Sequence, residues 1–255
     1  MAVVIAFANQ KGGVGKTTLS TQFAYFLRLT KHAKVLFVDM DSQGSATETL
    51  LHQEALNGTP SHQLFDPDLE EVVIQPTDRG IDLVGALPVP EAYEVEALSL
   101  ERIQYPKMHL DPIIENYDYV VIDCPPSLGR RLTGALLLTQ YVVCPIKLSG
   151  YAVSGLTSLY DTINQISNTL NPDLNILGIA VNEFQTSATQ RDALEAVEMV
   201  LPDMVFKNKI KSRPPIDTAS RGEPIAEVRN GAVATKEMHA LFKEILKKIA
   251  NSRKA

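Results

Sequence analysis

The chain has 255 residues, 45% of them hydrophobic and 21% charged, with a formal net charge of −6. It is long enough to bury a substantial core and too apolar for a disordered segment, and its acidic balance excludes a wholly basic nucleic-acid coat while leaving room for a local basic patch. Cys124 and Cys144 sit in apolar runs without C-x-x-C spacing, which fits a reduced, cytoplasmic protein; the scattered histidines offer no metal site, and no stretch reaches the ~20 apolar residues of a membrane span.

Short β-branched runs alternate with longer helical patterns. This predicts an α/β fold: a single doubly wound domain over residues 1–255, its sheet mostly parallel with helices on both faces. "VVIAFAN" from Val3 is the first strand, and it runs into "NQKGGVGKTT", residues 9–18. That stretch fits the phosphate-loop pattern G-x-x-x-x-G-K-[ST] except that Gln10 replaces the first glycine and an extra lysine, Lys11, follows it. The helix "TTLSTQFAYFLRLT" comes next, then the strands "KVLFVDMD" from Lys34 and "GIDLVGAL" from Gly80. The Pro-containing stretch from His52 to Thr77 between them reads as loop and short helix. "YDYVVIDCPP" from Tyr117 and "YVVCPIK" from Tyr141 are strands on either side of the helix "LTGALLLTQ". The helix "SGLTSLYDTINQISNTL" precedes the strand "NILGIAVNEF" from Asn175, and "MVFKNKI" from Met204 is a shorter, more polar late strand. Met238, Leu241, Phe242, Ile245, Leu246 and Ile249 recur at helical spacing, which predicts a last helix docked on its own domain rather than lying on a membrane.

The glycine-rich stretch stands between a strand and a helix, the context in which such a loop binds phosphate. Gly12, Gly13, Val14 and Gly15 would turn backbone N–H groups onto phosphate oxygens, helped by the helix N-terminus. Lys16 would reach the β and γ phosphates, Thr17 would ligate magnesium and Thr18 would contact the α phosphate. "VVIDCPP" ends an apolar run on Asp123, a carboxylate placed to hold the metal's water shell. "LFVDMDSQGS" supplies Asp39 and Asp41 on one side of a strand; either could polarise a water, Asp39 could also join the metal site, and either could merely order the loop.

"KGGVGKTT", "VDMDSQGSAT" and "YDYVVIDCPPSLG", in this order, resemble the deviant Walker ATPases of the ParA/MinD group, most closely the ParA-type partition ATPases. The resemblance runs through nearly the whole chain and includes "SRGEPIAEV" before the last helix. It implies a magnesium-dependent ATPase, converting ATP and water to ADP and phosphate, that dimerises face to face around its nucleotides. In that arrangement Lys11 crosses to the partner's phosphates, which explains the extra cation, and Gly12 and Gly13 permit the close approach. Asp41 then acts on the attacking water and Asp123 is the Walker B aspartate. Asn182, ending a strand, and Pro214, in a loop like the one that closes over the base, are the adenine contacts; many ParA proteins carry another residue in place of Asn182.

ParA-type relatives bind DNA without sequence preference in the ATP state and release it when a ParB-like or other cargo adaptor stimulates hydrolysis, so a nucleoid-associated ATP form is expected. Candidate cations are Lys207, Lys209, Lys211 and Arg213, with Arg191, Arg221, Arg229 and Lys236 elsewhere. A MinD-like membrane switch is the competing reading. A third is a superfamily electron carrier or ligase; an iron–sulfur bridge is poorly served by Cys124 and Cys144, and no ligase substrate pocket is evident in the sequence.

Overall fold

The computed structural model describes residues 2–52, 54–149 and 152–253. In chain order its strands are β1 (Val3–Phe7), β2 (Val35–Asp39), β3 (Gln75–Pro76), β4 (Asp82–Val84), β5 (Tyr119–Asp123), β6 (Tyr141–Lys147) and β7 (Asn175–Asn182). They form one sheet in the order β3-β4-β2-β5-β1-β6-β7. Every pairing is parallel except that of β3 with β4. This short edge strand falls inside the stretch read as loop, and Pro76 is tolerated there because an edge leaves one side of the backbone unpaired.

The strands read as continuous apolar runs because both faces are covered. Alternation along β1 sends Val4 and Ala6 into one core, and Val3, Ile5 and Phe7 into the other. The first core is roofed by α4 (Tyr105–Ile114), α5 (Arg130–Leu138), α6 (Ala152–Thr169) and α7 (Ala188–Val200). The second lies under α1 (Lys16–Tyr25), α2 (Ser45–Leu51), α8 (Pro214–Ala219) and α9 (Ala232–Ser252). A short helix, α3 (Pro90–Glu94), lies between β4 and α4 in the chain.

The apolar stripe of α9 is spent in this second core. Met238, Leu241, Phe242 and Ile245 are fully buried, Ile249 nearly so and Leu246 partly, and the Phe242 ring lies 5.2 Å from Phe23 and 5.5 Å from Phe26. Lys254 and Ala255, the end of that tail, fall outside the described residues. Among the described residues no helix is long and apolar enough to cross a membrane.

The late strand expected from Met204 does not form as such. The segment runs beside β7 and exchanges hydrogen bonds with it at Ile179, Val181 and Phe184, with isolated bridges at Val205 and Lys211. Glu244 of α9 explains the interruption: its carboxylate accepts from the N–H groups of Lys207 and Asn208 and from the Asn208 amide, at 2.8, 3.0 and 2.6 Å, drawing that turn off the sheet edge.

Candidate functional site

The carboxyl ends of β1, β2, β5 and β7 meet at one edge of the sheet, where open α/β folds bind ligands. The β1 end opens into residues 9–15. Asn9 is buried and braces that loop, accepting from Lys11 N–H at 2.9 Å and donating to the Pro145 carbonyl at 2.6 Å. Gly13 and Gly15 hold φ of 70° and 95°, a region that glycine enters without penalty. A β-carbon on Gly12 or Gly13 would meet nothing within 4 Å, so this part of the loop faces open space. At Gly15 it would lie 2.2 Å from the amide nitrogen of Asn182. Helix α1 starts directly after Gly15 with no side chain capping it, which leaves its first N–H groups for an anion.

Lys16 is buried beneath the loop, its ammonium 3.4 Å from the Lys11 carbonyl. The Thr17 hydroxyl donates to Asp123 Oδ2 at 2.6 Å. Asp123 is buried, and among the described residues its Oδ1 has no hydrogen-bond partner. Burial, then the neighbouring Asp39 charge, push its carboxyl well above the ordinary carboxylate range, against the Thr17 hydrogen bond and the Lys16 charge. A buried carboxylate with an unclaimed oxygen beside a threonine hydroxyl suits a divalent cation. No cluster of three or more His, Cys, Asp or Glu among the described residues could enclose a metal, so phosphate oxygens and water would complete its shell.

Asp39, the last residue of β2, and Asp41, two positions on, differ in their hydrogen bonding. Parallel register sets Asp39 beside Asp123, but both Asp39 oxygens are engaged: Oδ2 by the Thr47 N–H and hydroxyl at 2.9 and 2.8 Å, Oδ1 by the Asp41 N–H at 3.1 Å. Burial lifts this carboxyl to about 6 while those hydrogen bonds pull it down. Asp39 thus braces the loop through both of its oxygens. Asp41 is half-buried on the cleft wall, with Oδ1 accepting from the Gln43 N–H at 3.1 Å.

The cleft holds about 390 Å³ and is lined by Gly12, Gly13 and Gly15 to Thr18, by Asp41 and Gln43, and by Asn182. Val14 is buried, its carbonyl accepting from the Asn182 amide at 3.1 Å, while Asn182 Oδ1 has no partner among the described residues. Pro214 is exposed at the start of α8; Ile216, Asp217 and Ser220 face the cleft from that segment instead. Lys11 is exposed, its ammonium 3.3 Å from the Ser149 hydroxyl.

Of the basic candidates, Lys207, Lys211, Arg191 and Arg221 are exposed. Lys209 and Arg213 are half-buried, and the Arg213 guanidinium is forked onto Glu237 at 3.1 and 2.8 Å. The sequence reading missed Asn9, Gln43 and the α8 residues. It also missed Arg131, whose double-arginine context reads as a solvated helix start, although the residue is almost wholly buried.

A glycine loop on a helix N-terminus, a buried lysine and a pair made by a threonine of the first helical turn and an aspartate ending a central strand define a P-loop nucleotide-binding protein. The AAA domain family profile matches residues 2–176. The chain is 32% identical over 250 residues to the chromosome partitioning protein ParA of Myxococcus xanthus, covering 96% of this chain and 88% of that one. Its fold matches a putative plasmid partition protein of Borrelia burgdorferi bound to AMPPNP, with a TM-score of 0.82 at 24% identity over 97% of this chain and all of the other. It also matches the cobyrinic acid a,c-diamide synthase of Mycobacterium smegmatis with bound ADP and magnesium, with a TM-score of 0.74 at 29% identity over 87% and 91% of the two chains. The chain belongs to the ParA-type partition ATPases.

Proposed function

We propose that this chain hydrolyses ATP with magnesium and works as a partition switch: it dimerises around ATP, holds nonspecific DNA in that state and lets go when a cargo adaptor stimulates hydrolysis. The observation that carries the reading is Asp123, buried with one oxygen on the Thr17 hydroxyl and the other unpartnered, beside an open glycine loop. Magnesium, held by Thr17 and Asp123, would supply charge neutralisation on the phosphates. Lys16 and the α1 N-terminus bind phosphate oxygens, and Asp41 orients a water and takes up its proton. Asn182 Oδ1 is left to accept from a base amino group. Lys11, which is exposed, would reach across to the facing subunit's phosphates. The buried α9 stripe argues against the membrane-bound alternative, since its apolar residues are already occupied.

Size-exclusion chromatography with light scattering and a turnover assay test this together. Wild type should dimerise with ATP and hydrolyse it only with magnesium. Asp41→Ala should dimerise but lose turnover by about 10²-fold or more, as for loss of a general base. Lys11→Ala should bind ATP as a monomer and turn over slowly. Full turnover in Asp41→Ala, or an ATP-independent monomer in wild type, would refute the scheme.

A further inference from the structure

The Arg131 side chain is 2% exposed, yet it has no carboxylate within ion-pair distance among the described residues. Its Nε and Nη2 donate to the Ala92 carbonyl at 3.0 and 2.9 Å, and Nη1 donates to the Met40 carbonyl at 3.0 Å. Met40 is the residue between the two aspartates of the β2 loop. Its N–H is also taken, by the Asp123 carbonyl at 2.9 Å. Both polar groups of that peptide segment are therefore pinned, one by the strand carrying Asp123 and one by a cation rooted in α5.

A buried guanidinium is costly to desolvate, and burial indeed lowers its proton affinity. An apolar side chain could fill the space at less cost, so the cation's position calls for an explanation. Asp39 and Asp41 face it electrostatically from the β2 loop, and Glu96 and Tyr93 from the α3 side. Glu96 does not pair with the guanidinium; it accepts from the N–H groups of Arg130 and Arg131 at 2.6 and 3.3 Å and so fixes the helix end from which Arg131 projects. On the outer side of the same loop, Gln43 donates to the Tyr93 hydroxyl at 3.0 Å.

We propose that Arg131 is a positioning residue: by spanning the Met40 and Ala92 carbonyls it clamps the Asp39–Gln43 loop between α3 and α5 and so sets where the Asp41 carboxylate stands. This deepens the ATPase reading and rests on it for the consequence in turnover, but the clamp itself has a readout that needs no hydrolysis. A lysine cannot make the same bridge, because one ammonium lacks the forked donors that reach two carbonyls in different directions.

The test uses the full chain with Arg131→Met and Arg131→Lys. Hydrogen exchange followed by mass spectrometry should show amides of residues 41–47 exchanging at least about tenfold faster in both variants, with α1 unchanged, as expected for local opening. In the turnover assay kcat should fall about tenfold to a hundredfold with KM for ATP within about twofold, as for a misplaced rather than a missing group. Unchanged exchange over 41–47 in both variants overturns the clamp, as does full turnover in the folded fraction of Arg131→Met. Should Arg131→Met fail to fold, Arg131→Lys and Tyr93→Phe carry the test, the latter loosening the loop from its exposed side; native exchange in both would again overturn the clamp. Faster exchange in the variants of a wild type that hydrolyses no ATP would leave the clamp standing and remove the ATPase reading instead.

Discussion

At the scale of single residues, the site trades stability for binding. Asp123 and Asp39 are buried side by side at the sheet edge, and the Asp123 carboxyl carries an unpartnered oxygen among the described residues. Holding a charge there costs the apo protein free energy, because burial and a like charge both disfavour ionisation. Asp123→Asn should therefore raise the melting temperature of the nucleotide-free protein, by about 2–4 °C for each kcal/mol relieved. The same variant should lose the further rise that magnesium and ATP give wild type. Differential scanning fluorimetry in both conditions checks this; a lower melting temperature without nucleotide would mean that the Thr17 hydrogen bond outweighs the burial cost. Lys16→Ala, by contrast, should leave the apo protein folded and abolish nucleotide-induced stabilisation, which the same melts would reveal.

At the scale of elements, close approaches decide what the loops can do. Gly15 pairs a φ of 95° with a vector aimed 2.2 Å from the Asn182 amide. Gly15→Ala should cost about 1–2 kcal/mol from backbone strain alone, besides the clash. Adding Asn182→Ala should recover the steric part only, so a double-mutant cycle on nucleotide affinity should show positive coupling that falls short of rescue. A second case is the turn at Lys207 and Asn208. Glu244→Ala would hand to water the donors that its carboxylate now satisfies, and should destabilise the fold by about 0.5–1.5 kcal/mol in a denaturant melt. What was legible in the sequence follows the same division. β1, β2 and β5 and the residues at their ends were readable because long apolar runs and glycine-lysine spacing are local signals. The Glu244 contact, the Arg131 clamp and the cleft-facing side of α8 were not, since each depends on which distant backbone group a side chain meets. Asp39 and Asp41 could not be told apart from spacing, because only Thr47 and the turn at Gln43 distinguish them.

At the scale of the whole molecule, the basic residues of the C-terminal third lie on several elements, so DNA affinity should come from their summed field. Binding to random-sequence DNA with ATP should weaken steeply with salt, each neutralised phosphate adding about 0.9 to the slope. Lys207→Glu and Lys211→Glu should lower that slope while leaving ATP affinity unchanged. An unchanged slope in both would move the DNA surface off this segment. The packing of the last helix bears on how the protein is made. Phe23 and Phe26, just beyond the nucleotide loop, rest on Phe242 of α9, far downstream in the sequence. During synthesis the first helix therefore waits, with its aromatic face unsheltered, until α9 has been made and has left the ribosome. The nucleotide loop cannot gain its final support before α9 emerges, and a nascent chain stalled short of that helix should be a client for chaperones and proteases rather than a partly working switch.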